Sequence, residues 1–382
     1  MTIMSTNIET TRPKINLDSL RQSDVNLVIL GHGLVGSTLI KQILEKQESL
    51  LERKDINLKI IAIANSTKVL LKPEGVSKNW LEEKETKGIK QSIKVVLDFL
   101  KLYDFDNVIV VDNTADQSIV FQYENFIKAG AHLVSSNKKG NTESFEFYQN
   151  LRGALQSNNK KYLYETNVGA GLPLIDTIAL LHASGENITR IKGVFSGTLS
   201  YLFNEFSDGN KTFSEVLQQA IHKGYTEPDP REDLCGNDVA RKLLILAREL
   251  DLHNELGDVE VENLIPKDLR KGTKETFLNA LQDLNIPYSI KKKNCKPGNV
   301  LRYVAELSGD LSKNDGAILK VRLVQVPKNS VIGQLKGSDT IFEIYTENYG
   351  DNPIVIQGAG AGAEVTARGV FGDILRLSEQ IK

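Results

Sequence analysis

The chain has 382 residues, enough for two or three domains, and its 47 Lys+Arg nearly balance its 49 Asp+Glu. That balance gives no footing for nucleic acid or an anionic membrane surface, and no apolar run approaches the roughly 18 residues of a membrane span. Two cysteines, Cys235 and Cys295, without CxxC or His/Cys ligand spacing, exclude a disulfide framework and a cysteine-based metal centre. Residues 1–24 are polar, lack the apolar core of a signal peptide and read as a leader, so a cytoplasmic enzyme with a small-molecule substrate is expected.

Residues 25–30, VNLVIL, form a short apolar run that stops at Gly31-His32-Gly33-Leu34-Val35-Gly36. A strand, GxGxxG, then an amphipathic helix carrying Leu39, Ile40, Ile43 and Leu44 is the context a dinucleotide site requires. The glycines admit a tight turn and close backbone approach, and the helix N-terminus faces the pyrophosphate. A second strand, residues 58–64, ends at Asn65-Ser66-Thr67-Lys68. An NAD site usually places Asp or Glu there for the ribose 2′-hydroxyl, whereas Asn65 is neutral and Ser66 and Lys68 can donate to a 2′-phosphate. NADP(H) is therefore preferred and NAD(H) allowed, with Lys68 as a solvated loop lysine the plainer alternative.

A polar helical stretch is expected to about Tyr103, followed by a buried parallel strand over residues 107–111 that delivers Thr114 beyond its carboxyl end. Thr114 should touch the nicotinamide ribose or carboxamide. A helix over residues 117–129 should end at Gly130, and the strand HLVSS leads to Asn137-Lys138-Lys139. One more strand, residues 161–165, closes a Rossmann-type α/β domain spanning residues 25–165. Beyond it an α+β substrate and dimerisation domain is expected over residues 166–352, with residues 353–382 completing the first domain.

In the second half, Thr198 opens the helix of GTLSYLFNEF, where its hydroxyl and nearby N–H groups could take a carboxylate. Thr212 and Glu215 make a capping box for a helix that ends at Gly224. Residues 227–242, EPDPREDLCGNDVARK, crowd Glu227, Asp229, Glu232 and Asp233 onto a loop stiffened by Pro228 and Pro230. Asn237 is the expected N-cap of the next helix, on which Asp238 and Lys242 share one face and Val239, Leu243, Leu246 and Leu250 another. By spacing alone, Asp238 and Lys242 fit a solvated surface pair. LRYVAEL, AILKVRLVQV and TIFEIYTE read as period-two strands of a sheet with one polar face, whose exposed edge suits a homodimer.

VFSGTLSYLFNEF, KGYTEPDPREDL and GNDVARKLLILAREL, in that order, resemble the substrate domain of homoserine dehydrogenases. The likeness is to the form without a regulatory tail and to the dehydrogenase half of aspartokinase fusions, and it runs from about Val25 onward. It implies reduction of L-aspartate 4-semialdehyde to L-homoserine in threonine and methionine biosynthesis. It implies further that Glu227 and Asp233 hold the substrate ammonium, with Tyr225 lining the pocket, and that Asp238 and Lys242 handle the reacting oxygen. VSSNKKG resembles the family's strand-end Asn-Lys motif, which makes Lys138 the second candidate for proton delivery. YETNVGAGLPLI resembles the family's domain-junction loop, implying Na+ or K+ held by Glu165 and the carbonyls of Val168, Ala170 and Leu172; a glycine hinge without an ion is the alternative. Residues 358–362, including Gly360, would return to the nicotinamide. Two other readings are open: a phosphorylating aspartate-semialdehyde dehydrogenase, which needs a cysteine nucleophile, and a non-catalytic NADP-binding sensor.

Overall fold

The computed structural model describes residues 23–381, so the leader expected at residues 1–24 lies outside the described residues save its last two. The first unit runs β1 (Ser23–Leu30), α1 (Leu34–Lys54), β2 (Ile56–Ala64), β3 (Lys68–Leu71), α2 (Trp80–Lys87), β4 (Ile89–Lys90) and α3 (Ile93–Tyr103). It continues through β5 (Val108–Asp112), α4 (Gln117–Val120), α5 (Tyr123–Lys128), β6 (His132–Ser135), α6 (Phe145–Ser157) and β7 (Tyr162–Leu163). The sheet order is β4-β3-β2-β1-β5-β6-β7, with β1, β2, β5, β6 and β7 parallel. The Val/Ile-rich strands are buried, β1 from Val25 to Leu30 and β5 along its length, because helices cover both faces.

Two local expectations fail here. The helical stretch expected before Tyr103 contains β3 and β4, because Val69-Leu70-Leu71 folds back antiparallel onto Ala62–Ala64. The helix expected over residues 117–129 breaks at Phe121-Gln122 into α4 and α5, although Gly130 does end it, with φ of 90°.

The second unit runs α7 (Ile175–Ala183), β8 (Ile188–Val194), α8 (Gly197–Asp208), α9 (Phe213–His222), α10 (Arg231–Leu234), α11 (Asn237–Arg248) and β9 (Glu260–Val261). Then come α12 (Lys274–Asn279), α13 (Asn285–Lys293), β10 (Asn299–Gly309), β11 (Ala317–Pro327), β12 (Asp339–Thr346), β13 (Ile354–Ala359) and α14 (Ala363–Gln380). Its sheet order is β13-β12-β8-β10-β11-β9. The Thr212–Glu215 capping box forms as expected at the start of α9. The single polar face does not: Leu301, Tyr303 and Leu307 of β10 pack into the main core, while Val300 and Val304 meet Ile332 and Leu335 on the opposite side.

The segment expected to complete the first domain divides in two. β13 pairs with β12 in the second sheet, and only α14 crosses back. There Ala367, Val370, Phe371, Ile374 and Leu377 pack with Leu39, Ile40 and Ile43 of α1. α14 comes so close to the loop after β7 that a Cβ on Gly369 would lie 2.6 Å from the Thr166 methyl and 3.0 Å from the Gly171 Cα.

Candidate active site

The glycine turn after β1 is built for close approach. Gly31 takes φ of 83°, and a Cβ on it would meet the Thr114 methyl at 2.8 Å. Gly36 lies against the Gly31 carbonyl, where a Cβ would sit 2.0 Å from the oxygen, whereas Gly33 faces open space. In front of them a cavity of about 880 Å³ is lined by Gly31, Gly33, Asn65, Ser66 and Thr114 beyond the carboxyl ends of β1, β2 and β5. This fits a dinucleotide: small residues where the backbone must come near, and the first turn of α1 aimed at the ligand.

At the far end of that cavity the picture differs from the sequence reading. The Asn65 side-chain oxygen accepts from the N–H groups of Thr67 and Lys68 at 3.0 and 2.7 Å, which shapes the turn. Lys68 does not line the cavity; its ammonium sits 2.7 Å from Glu85. Two residues passed over in sequence stand nearby. His32 lines the cavity with its Nε2 buried and unpartnered, edge-on to Trp80 at 5.4 Å. Lys84 is wholly buried, its ammonium without a hydrogen bond and 3.7 Å from Glu85. Burial, then the charge of Lys84, holds the His32 imidazole below its ordinary pKa, and burial lowers that of Lys84 itself. A histidine between the fingerprint glycines was the available signal.

A second cavity, of about 760 Å³, opens between the two units. Leu34 and Val35 from α1, Lys138, Ala170, Thr198, Tyr225, Glu227, Asp233, Asp238, Lys242 and Gly360 all border it. Asp112, at the end of β5, fixes one wall: it accepts from the Thr114 N–H at 2.8 Å, the Tyr123 hydroxyl at 2.7 Å and the Asn137 amide at 3.0 Å. Burial raises the Asp112 pKa against those bonds. Asn137 in turn accepts from the Lys139 N–H at 3.2 Å, opening the short 3-10 turn Lys138–Asn141 that presents Lys138.

Opposite, α11 carries Asp238 and Lys242. Its N-cap is Gly236, at φ of 79°, and not Asn237 as spacing suggested, since a left-handed residue is needed to turn out of α10. A Cβ on Gly236 would also collide with the Tyr303 hydroxyl at 2.2 Å. Asp238 accepts from both lysines, Lys242 at 2.9 Å through one oxygen and Lys138 at 3.2 Å through the other. Burial pushes its carboxyl up, but Lys138 and Lys242 hold it well below the usual carboxylate range. Lys242 is buried and also donates to the Phe195 carbonyl at 2.8 Å. The pair expected along one helix is thus a triad joining both units, which helix spacing alone does not reveal.

At the other end, the Glu227 N–H donates to Asp233 at 2.8 Å, and burial pushes the Asp233 carboxyl up to about 6. The Thr198 hydroxyl donates to the Tyr225 carbonyl, which braces that loop, and Thr198 lies on the cavity wall. Of the four loop acids, Asp229 is spent on Arg231, which it meets at 2.6 Å. The Cys235 thiol donates to the Glu232 carbonyl, and burial with the charges of Asp233 and Glu232 raises its pKa. Arg241, unremarked in sequence, also lines this cavity.

In the loop after β7, two of the four expected ion ligands have hydrogen-bond partners within the chain. Glu165 accepts from the N–H groups of Leu174 and Ile175, both at 2.7 Å, and of Asp176 at 3.0 Å, so its carboxylate caps α7. The Leu172 carbonyl accepts from the Leu174 N–H, and Val168 lies in the apolar core. Ala170 faces the cavity with the lysines, while Glu165 and Leu172 line a different one. The turn draws its left-handed residues from Gly169 and Ala170, at φ of 80° and 53°; Gly171 is needed for space, since a Cβ would lie 2.7 Å from the Val365 carbonyl.

Comparison with known proteins follows the same division. Residues 31–165 match the family model for the NAD binding domain of homoserine dehydrogenase, and residues 173–375 that for homoserine dehydrogenase. A bifunctional aspartokinase/homoserine dehydrogenase 1 of Zea mays is 40% identical over 366 residues, 95% of this chain and 39% of that protein. A homoserine dehydrogenase of Paracoccidioides brasiliensis is 42% identical over 283 residues, 72% of this chain and 75% of that protein. The chain spans 39–42% of the length of the bifunctional relatives. A crystal structure of a Candida auris protein of unknown function superposes with a TM-score of 0.84 at 31% identity, covering 94% of this chain and 99% of that one. A hyperthermophilic archaeal homoserine dehydrogenase in complex with NADPH shares the fold, with a TM-score of 0.71 at 22% identity over 94% and 98% of the two chains.

Proposed function

We propose, from the premise that this chain belongs to the homoserine dehydrogenase family, that it interconverts L-aspartate 4-semialdehyde and L-homoserine with a nicotinamide cofactor. The observation that carries the reading is the Lys138–Asp238–Lys242 triad, which faces the same cavity as Glu227 and Asp233. The bound nicotinamide supplies the hydride. The protein's own residues then have three tasks. Glu227 and Asp233 hold the α-ammonium of the amino acid, which fixes its far end. The two ammonium groups stabilise negative charge that develops on the substrate oxygen, and one of them gives that oxygen its proton. Asp238 holds both ammonium groups directed at one point.

We place Lys242 first for proton delivery and Lys138 second, and the geometry gives them different surroundings. Lys242 is anchored by Phe195 and Asp238, whereas Lys138 has Asp238 and an open flank, with 30% of its side chain accessible. Preference for NADP(H) is supported by the neutral Asn65 and Ser66 and by the buried nitrogens of His32 and Lys84 behind the same wall. No step is derived through a monovalent cation, because the Glu165 carboxylate caps α7. A homodimer along the outer strand β13, whose Val355 is exposed, and a cytoplasmic location belong to the same reading; light scattering and cell fractionation test them.

The test is absorbance at 340 nm with purified protein. Aspartate semialdehyde should drive NADPH oxidation without phosphate, and Cys235→Ser should keep its turnover. A strict need for phosphate together with an inactive Cys235→Ser would move the assignment to the cysteine mechanism. Binding of NADPH without turnover of either substrate would leave only a cofactor-binding role.

A further inference from the structure

Lys138 is gripped at two points by one helix. Its ammonium meets Asp238 of α11 at 3.2 Å. Its own carbonyl accepts, at 3.2 Å, from the hydroxyl of Thr142, four residues on. That hydroxyl oxygen accepts in turn from Nη1 of Arg241 at 2.9 Å. Arg241 is three residues beyond Asp238, so both project from the same side of α11. A threonine hydroxyl has one proton to give and lone pairs to receive with, so donor and acceptor duties are both filled here. About two turns further along α11, buried Arg248 donates to the Asn141 carbonyl at 2.9 Å and closes the same seam.

We propose that Arg241 and Thr142 are positioning residues that set where Lys138 delivers its charge. The inference rests on the reading of Lys138 given above. Lysine has a flexible four-carbon stem and is a point charge, so Asp238 alone leaves its backbone free to drift with the nucleotide-binding unit. The relay ties that backbone to the helix that carries Asp238 and Lys242. The reacting oxygen then meets two ammonium groups whose spacing is fixed by α11, although they arrive on separate units. A displacement of about 1 Å at such a site costs on the order of 10²-fold in rate.

The experiment uses the full chain carrying Thr142→Val, Thr142→Ser, Arg241→Met and the Arg241→Met/Thr142→Val double variant. Thr142→Val is nearly isosteric and removes both bonds. Its kcat should fall on the order of tenfold, with KM for homoserine and for cofactor within about twofold. Thr142→Ser should restore kcat, and the double variant should be no worse than the poorer single one, since both break one relay. Independent of turnover, acetic anhydride labelling read by peptide mass spectrometry should show Lys138 acylated several-fold faster in Thr142→Val, with Lys139 unchanged as internal reference. Equal acceleration of Lys138 and Lys139 would mean general loosening and overturn the proposal, as would a normal kcat in Thr142→Val. A raised homoserine KM in Arg241→Met alone would make Arg241 a substrate ligand and not a positioning residue. If the wild-type chain does not turn over homoserine, the labelling ratio still decides whether the relay holds Lys138, and only the functional reading falls.

Discussion

Replacing Asp238 by asparagine is the sharpest perturbation of the site, because it preserves shape and deletes one charge. The carboxylate offers an oxygen to each lysine, at 2.9 and 3.2 Å. An asparagine offers one oxygen and an NH₂ group, and the latter cannot accept from an ammonium. One lysine therefore loses its partner outright, and the other keeps a weaker, neutral acceptor. A hydrogen bond to a charged group is worth about 1.5–3 kcal/mol net. With 47% of the Asp238 side chain accessible from the cavity, solvent screening favours the lower half of that range. At 1.36 kcal/mol per decade, the loss in kcat is roughly 10- to 50-fold. Steady-state homoserine oxidation, followed at 340 nm, reads this loss, and the homoserine KM should stay within about threefold because Glu227 and Asp233 are untouched. A kcat within twofold of wild type would refute the reasoning and return Asp238 and Lys242 to an ordinary solvated pair.

Three further outcomes are expected. Lys242→Ala should cost on the order of 10²-fold in kcat, whereas Glu227→Gln should act mainly on the homoserine KM, since an ammonium contact is made in both ground and transition states; kinetics of the two variants separates the roles. Asn65→Asp should weaken NADPH more than NADH, and titration calorimetry with both cofactors checks it, equal losses meaning that this turn does not read the ribose. Asp233, held at about 6 in the fold against 3.8 for the free group, keeps a proton between roughly pH 4 and 6 that the unfolded chain has lost. Its contribution to stability therefore falls as pH rises through that window. Ammonium binding needs the ionised form, so homoserine KM should climb as pH drops below about 6, and Asp233→Asn should flatten that climb.

What was legible in the sequence followed local rules. A buried strand, a glycine turn and an amphipathic helix can be read from period and residue type, and so can the Thr212–Glu215 box. Short pairings escaped notice: β4 has two residues and β3 four, too few to show a period. Gly236 was passed over as a cap because its left-handed turn is required by α10 in front of it and by Tyr303 from a distant strand. The apolar alternation of β10 was misread for a related reason, since nothing near it announces that Ile332 and Leu335 cover its second face. The Asp238–Lys242 spacing was visible, but the second lysine is 100 residues upstream of Asp238 and its meeting with α11 depends on how two units dock. The family resemblance makes Glu165 an ion ligand; its three bonds to the first amides of α7 are a further role, one that depends on where that helix begins.

The return of α14 has a consequence for how the chain acquires its shape. Leu39, Ile40 and Ile43 belong to the early turns of α1, yet part of the cluster that buries them, beside the strands of the first sheet, stands at residues 367–377. During synthesis the first sheet can pair its strands long before that cover exists, leaving one greasy flank to wait through the making of the entire second unit. Along the chain, the nucleotide-binding unit is thus begun before the second unit and completed after it. Its closing contact also has little tolerance, because Gly369 and Gly171 meet with no room for a methyl group. The cover of α1 and the join to the loop after β7 are thus supplied by one and the same helix.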